Sequence, residues 1–312
     1  MKRPLVLLLT LSCMPAFCEA ATLDLDNGAI KVRLDLNSGG AITYLSPSGS
    51  TENLINNYDR GRQIQQSYYA GQALNRIAEG QHPSWSPWPW NPIQVGDAFG
   101  HSSAVLESSG ADGVVYTKTI PLLWDMNNEP AEALMEQWTR LDKNSVLVRC
   151  KLTCQRTDTR WNIASRHQEM PALYTISRLS HQFTYVGDAP WTHAPLTEIV
   201  QVGPPWTYWG PGTVRPGQIE RWAANVDDSN WGVGVYYRDT EIFVGGRAGD
   251  PGGGEFDFAT TYLAPLRTLR LDKNTTLEWG YDLIVGTLAQ IRSFVYQDFL
   301  GETEAGEWDG YQ

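Results

Sequence analysis

The sequence predicts an all-β protein of mostly antiparallel strands with one short C-terminal helix. Runs of β-branched and aromatic residues recur along the chain, and turn signals such as Asn27-Gly28, Ser38-Gly39-Gly40, Asp112-Gly113 and Lys273-Asn274 separate them. Short runs bounded by such turns are the signature of hairpin-connected sheet. The clearest helical stripe, Leu288, Ile291, Phe294, Val295 and Phe299, lies at 287–300, where Thr287 supplies a capping hydroxyl.

Taken in order, 22–26 and 30–35 flank the Asn27-Gly28 turn, and 41–45 follows the glycine pair. Further strands are expected at 63–69, 114–120, 145–154, 182–186, 220–226, 231–237, 242–245 and 275–285. The segment 132–141 places Leu134, Trp138 and Leu141 on one helical face, yet Leu141-Asp-Lys-Asn144 reads as a hairpin turn into the next strand. A strand is expected there. In 145–154, Val146, Val148, Cys150, Leu152 and Cys154 share the period-2 face that points inward. Four residues of strand span about 13 Å, beyond the roughly 7 Å that a disulfide bridges, so Cys150 and Cys154 are expected as two buried thiols. A C-terminal helix at the sheet edge would shield it from pairing.

Residues 1–20 combine a basic start, an apolar run (Leu5 to Leu11) and small residues ending at Ala20, the pattern of a secretory signal. The expected product is one β-sandwich domain over 21–312, secreted or periplasmic, without membrane insertion and monomeric. Removing two basic residues and one acidic residue with that segment moves the formal charge from −11 to −12. An acidic surface disfavours nucleic acid and strongly anionic glycans as partners.

Aromatic residues supply the functional signal. The run Gln81-His-Pro-Ser-Trp85-Ser-Pro-Trp88-Pro-Trp90-Asn-Pro92 interleaves tryptophan with proline, and Pro204-Pro205-Trp206-Thr-Tyr208-Trp209-Gly-Pro211 repeats the chemistry. Prolines fix a surface loop, and rings held open there suit the C–H face of a sugar. An isolated Trp is more often core; a clustered set on a proline-stiffened loop is a platform. Trp85, Trp88, Trp90, Trp124 and Trp209 are therefore candidate glycan contacts. In 62–69, Arg62, Gln63, Gln65, Gln66, Ser67 and Tyr69 make a strand too polar for an ordinary core, with a solvated edge as the alternative. Placed in a cleft floor, Arg62, Gln65 and Tyr69 would read hydroxyls.

For proton transfer, His167 and Glu169 in Ser165-Arg-His167-Gln-Glu169-Met-Pro171 would point the same way if extended; a structural ion pair is the competing role. Asp97, Asp125 and Glu220 are reserve carboxylates, since two such groups about 5–10 Å apart can serve glycoside hydrolysis. The glycine-rich 245–254 lacks the spacing of a phosphate loop and reads as a hairpin bordering the cleft. With neither a serine-nucleophile motif nor a two-histidine metal motif, no cofactor and no metal are expected.

Asn27-Gly-Ala-Ile30-Lys-Val-Arg-Leu-Asp35, Ser38-Gly-Gly-Ala-Ile42-Thr-Tyr-Leu45 and Glu52-Asn-Leu-Ile55 resemble the opening hairpins of the galactose mutarotase-like β-supersandwich, found in aldose epimerases and in hydrolase and lyase domains. The resemblance implies a broad curved sheet whose concave face binds sugar, with a histidine and a carboxylate as catalytic groups, His167 corresponding to the former. Arg166 and the Gln-Glu-Met-Pro that follows depart from the epimerase surroundings of that histidine and point away from simple mutarotase activity. The expectation is a glycoside hydrolase acting on a neutral or weakly charged glycan. A lyase using Tyr69 and His167, with Arg62 neutralising a uronate, and a non-catalytic carbohydrate-binding protein are the alternatives.

Overall fold

A computed structural model describes residues 21–157, 164–200, 202–210 and 219–301. The expected signal segment 1–20 lies outside the described residues. Among those described, two antiparallel sheets face each other. One runs Thr22–Asp26, Ile30–Asp35, Ala41–Pro47, Ile64–Ser67, Arg166–Ile176, Thr260–Leu269, Ile242–Ala248 and Thr207–Trp209, with Pro92–Ile93 and Leu122–Leu123 branching from Ile64–Ser67. The other runs Thr197–Glu198, His181–Val186, Ile219–Val226, Trp231–Tyr236, Thr276–Thr287, Ser145–Cys154, Ala133–Asp142, Val114–Ile120 and Ala104–Ala111.

Period-2 patterning fills the space between them. Val32, Leu34, Ile42 and Ile64 from the first sheet meet Val146, Val148, Leu152, Val233 and Leu283 from the second. Cys150 and Cys154 are buried there as free thiols, behaving as small apolar groups. The segment read as strand rather than helix is Ala133–Asp142. It pairs along its whole length with Ser145–Cys154 and buries Ala133, Met135, Gln137 and Thr139 while Leu134 and Trp138 stay half-buried on the other face.

Two central strands were hidden from the sequence pattern. Arg166–Ile176 contains Pro171, which sits where pairing to both neighbours shifts register after Glu169; an irregularity of that kind accommodates a residue that cannot donate to the ladder. Thr260–Leu269 buries every residue from Thr260 to Leu266, so no alternation remains to be read.

The helix Leu288–Gly301 starts at a capping box. Thr287 Oγ1 accepts from the Gln290 amide at 3.3 Å, while Gln290 Oε1 accepts from the Thr287 amide at 2.9 Å. The helix lies on a sheet face rather than along an edge. Alternation decides this: Ala223, Val233 and Leu283 point into the main core, leaving Trp222, Ala224, Val226, Tyr236 and Ile284 to be covered by Ile291 and Val295.

Glu220, expected as a reserve catalytic carboxylate, belongs to this helix contact. Fully buried, it accepts from Arg292 Nη2 (2.6 Å) and Nε (3.0 Å), Trp222 Nε1 (3.0 Å), Tyr296 Oη (2.5 Å) and the Trp191 amide (3.0 Å). Its oxygens are saturated, which removes it from the catalytic candidates. Breaking one side of a buried pair costs about 3–5 kcal/mol. Glu220→Ala is expected to lower the thermal midpoint by roughly 5–10 °C in a calorimetric scan while leaving ligand affinity in the cleft unchanged.

Candidate functional site

The polar strand Ile64–Ser67 lies mid-sheet and is buried throughout, which excludes the solvated-edge alternative. Its flank opens into a cavity of about 330 Å³, with Arg62, Gln65, Ser67 and Tyr69 along one side and Glu169 and Ala172 from the neighbouring bulged strand. Glu169 is in register with Ser67 on one side and Leu266 on the other. That position brings Tyr69 and Tyr262 to its carboxylate: Tyr69 Oη donates to Oε2 at 3.4 Å, and Tyr262 Oη donates to Oε1. Ser67 Oγ lies beside the same carboxylate, close enough to act on its charge but without the alignment of a hydrogen bond.

Burial pushes the Glu169 carboxyl above its ordinary range, and the hydroxyls of Ser67, Tyr262 and Tyr69 only partly oppose it. Desolvation, and then the charge of Glu169, raise the phenols of Tyr69, Tyr174 and Tyr262 well above the ordinary tyrosine value. Tyr69 and Tyr262 therefore act as neutral donors toward a carboxyl group poised to hold a proton.

Two aromatic walls flank this floor. Trp85 meets Trp88 edge to face with centroids 4.9 Å apart and Trp124 at 5.4 Å, and Trp88 leans on Tyr69 at 6.3 Å. Trp88 Nε1 donates to Asn91 Oδ1 at 3.0 Å, and Asn91 Nδ2 in turn donates to the Tyr68 carbonyl at 2.7 Å, fixing the indole. Opposing them in chemistry is a chain of rings in which Trp206 approaches Tyr262 (5.1 Å) and Tyr262 stacks on Tyr174 (4.5 Å, 27°). Asp59, Gly61, Ile93, Pro204, Ala248, Phe258 and Thr260 also line it, so the glycine-rich 245–254 borders the cavity through Ala248 and the segment after it through Phe258 and Thr260.

Of the residues singled out in sequence, Arg62, Gln65, Tyr69, Trp85, Trp88, Trp124 and Glu169 converge on this cavity. Gln65 lies in its wall with its amide already engaged: Nε2 donates to the Arg60 (3.2 Å) and Arg62 (2.6 Å) carbonyls, and Oε1 accepts from the Val95 amide (3.0 Å). Its hydroxyl-reading role gives way to that of a brace. Arg62 Nη1 is likewise held by Asn56 Oδ1 (3.2 Å) and the Phe258 carbonyl (2.6 Å).

Others fall outside. Trp90 is a core residue, 3% exposed, beneath the Arg156 guanidinium, and Trp209 packs in the core against Phe243. Asp97 is a loop brace, accepting from the amides of Phe99, His101 and Asn128 and facing His101 Nδ1 at 2.9 Å. Asp125 is buried and accepts from Gln81 Nε2 at 2.6 Å. His167 is exposed at the outer end of its strand, with Nδ1 3.2 Å from Thr268 Oγ1 and its ring beside Tyr208. Residues two apart on a strand stand about 6.7 Å from each other, and Glu169 finds its partners across the sheet in Tyr262 and Tyr69, not in His167. Ser67, Tyr174, Tyr262, Trp206 and Asp59 were not singled out as site residues. Trp206 and Ser67 sat inside runs already marked, while Tyr174 and Tyr262 lie on the two strands that alternation does not show.

No protein-family model matches the chain, and no curated protein matches it. Solved structures of the galactose mutarotase-like kind resemble it. A putative aldose 1-epimerase from Escherichia coli K12 is 11% identical, with 86% of this chain and 99% of that one covered and a TM-score of 0.48. A galactose mutarotase related enzyme from Lactobacillus acidophilus is 10% identical over 85% of this chain and 97% of that one, TM-score 0.46. A GH36 alpha-galactosidase from Geobacillus stearothermophilus is 10% identical over 86% of this chain and 40% of that one, TM-score 0.49. Likeness at this identity concerns the arrangement of strands alone.

The elevated Glu169 carboxyl carries a linkage. The native state keeps a proton that the unfolded chain releases once pH passes the ordinary glutamic range, so stability falls as pH rises through the native value. Thermal midpoints measured from pH 4 upward are expected to show that decline in the parent protein and a flatter profile in Glu169→Gln, which has nothing to ionise there.

Proposed function

We propose that this protein is a secreted or periplasmic glycoside hydrolase that binds a neutral or weakly charged glycan in the cavity and protonates the scissile oxygen from Glu169. The observation that carries this reading is a carboxyl group raised by burial, set among neutral phenols and beneath a wall of indoles. A carboxyl that burial makes hold its proton more tightly than a free one is suited to general acid catalysis, and the indole faces suit pyranose C–H groups. Asp59 is the other carboxylate lining the cavity, paired with Arg62 at 3.5 Å and 45% exposed at its side chain.

In the proposed reaction the glycosidic C–O bond breaks as the leaving oxygen takes the Glu169 proton. Tyr69 and Tyr262 then donate to the carboxylate left behind, which offsets part of its desolvation. A water oxygen adds to the anomeric carbon and its proton passes to Asp59; exchange with solvent restores both groups. Eliminative cleavage is disfavoured, because Arg62, the cation that would neutralise a uronate, already serves Asn56, Phe258 and Asp59. The basic start and apolar run of 1–20 support export.

Screening against a polysaccharide panel, read by reducing ends and by the ultraviolet absorbance of unsaturated products, tests the reading. Glu169→Gln is expected to lower kcat/KM by about 10²–10⁴-fold with affinity retained, and Trp88→Ala to weaken binding about tenfold. Absorbing products would assign a lyase. Glycan binding without turnover in the parent protein would assign a binding protein, and full activity in Glu169→Gln would remove Glu169 from the chemistry.

A further inference from the structure

The cavity does not end at its own rim. Phe258, which lines it, is 59% exposed and meets Tyr58, 50% exposed, edge to face at 5.6 Å. The Arg62 guanidinium carbon lies 4.8 Å from the Tyr58 ring centroid and 5.3 Å from that of Phe258, and Phe256 nearby in sequence is 70% exposed. Large apolar rings left in water together mark a contact surface. This one is built rather than incidental. Asn56 Nδ2 donates to the Asp257 (2.9 Å) and Ala259 (3.0 Å) carbonyls, Arg62 Nη1 to the Phe258 carbonyl, and the Asn57 amide to the Glu255 carbonyl (2.6 Å). The loop is thereby tied at four of its carbonyls to the segment 56–62 that leads into the cleft.

Resting on the glycan reading of the cavity, we propose that Tyr58 and Phe258 form a second sugar subsite, so that the substrate is an oligosaccharide or polysaccharide chain rather than a free monosaccharide. Continuity identifies the occupant: Phe258 belongs both to the cavity of about 330 Å³ and to the exposed pair, so a glycan longer than the disaccharide the cavity holds runs out over these rings. The surroundings agree. Asp59, which lines the cavity and pairs at 3.5 Å with the Arg62 guanidinium that touches both rings, offers a carboxylate acceptor for hydroxyls, the pairing of apolar face and polar rim that pyranoses require. Because Arg62 supports both rings and the loop carbonyl, the second subsite is preset before a ligand arrives and loses little to ordering.

The test is a titration of intrinsic tryptophan fluorescence with cello-, xylo-, manno- and malto-oligosaccharides from disaccharide to hexasaccharide. In the series that binds, affinity of the parent protein is expected to rise with chain length. Tyr58→Ala, at a position outside the cavity lining, is expected to remove about tenfold of that rise while leaving disaccharide affinity unchanged, and Tyr58→Trp to restore it. Should Tyr58→Ala weaken all lengths equally, or none, the second subsite is wrong and the cavity reading stands. Should the parent protein bind no saccharide while its fold is intact by circular dichroism, the cavity reading falls and the subsite with it.

Discussion

A polar strand in the middle of a sheet must satisfy its side chains inside the protein, and that requirement organises the whole cleft. Gln63 Nε2 reaches the Asp59 carbonyl, Gln65 clamps Arg60, Arg62 and Val95, and Gln168 spans to the Tyr69 amide and carbonyl. Gln94 continues the network across the interior, accepting from the Gln66 amide and donating to the Gly39 carbonyl and to Gln137 on the facing sheet. An unpaired buried amide costs more than a satisfied one returns, so each bond constrains its neighbours. Gly39, at φ +59°, is part of the same constraint: a Cβ there would lie 1.8 Å from the Gln94 carbonyl oxygen. The glutamines are therefore scaffolding, and the cavity is what they hold open.

On this scaffold the register shift after Glu169 does chemical work. A regular strand would continue a flat ladder past Ser67, whereas the irregularity carries Pro171 and leaves Glu169 facing Tyr262 from the adjoining strand on one side and Tyr69, just past the end of the other. The stacked pair Tyr174 and Tyr262 closes the space around it. Low local polarity raises the carboxyl and the phenols together. It also strengthens any hydrogen bond that a ligand makes there.

Much of the fold was legible because alternation is a strong signal wherever one face is buried and the other is not. Ser145–Cys154 and Ala133–Asp142 are of that kind. Arg166–Ile176 and Thr260–Leu269 are not, being interrupted by proline or buried on both faces, and they supply Glu169, Tyr174 and Tyr262. Part of the site was thus hidden with its strands. The tryptophan run was legible as chemistry but not residue by residue: Trp85 and Trp88 face the cavity while Trp90 enters the core, although Trp88–Trp90 is a single short strand paired with Ala70–Leu74 rather than the expected loop. His167 and Glu169 share a face, as their spacing required, yet cross-strand neighbours rather than the intervening residue decide which groups touch.

Two glutamates, Glu220 fully buried and Glu169 half-buried at the cavity, show how environment divides labour within one chain. Glu220 meets a guanidinium and further donors from Trp222, Tyr296 and the Trp191 amide, every lone pair directed at a fixed partner; it can brace a helix against a sheet but offers nothing to a ligand. Glu169 is held by hydroxyls, with no guanidinium or ammonium among its partners in the described residues. Neutral donors stabilise a carboxylate less than a cation does, so the proton is retained more readily, and the same donors remain to receive the charge when the proton leaves. One carboxylate is consumed by structure and the other is kept available for exchange. The difference is set by whether an arginine or a tyrosine stands across from it.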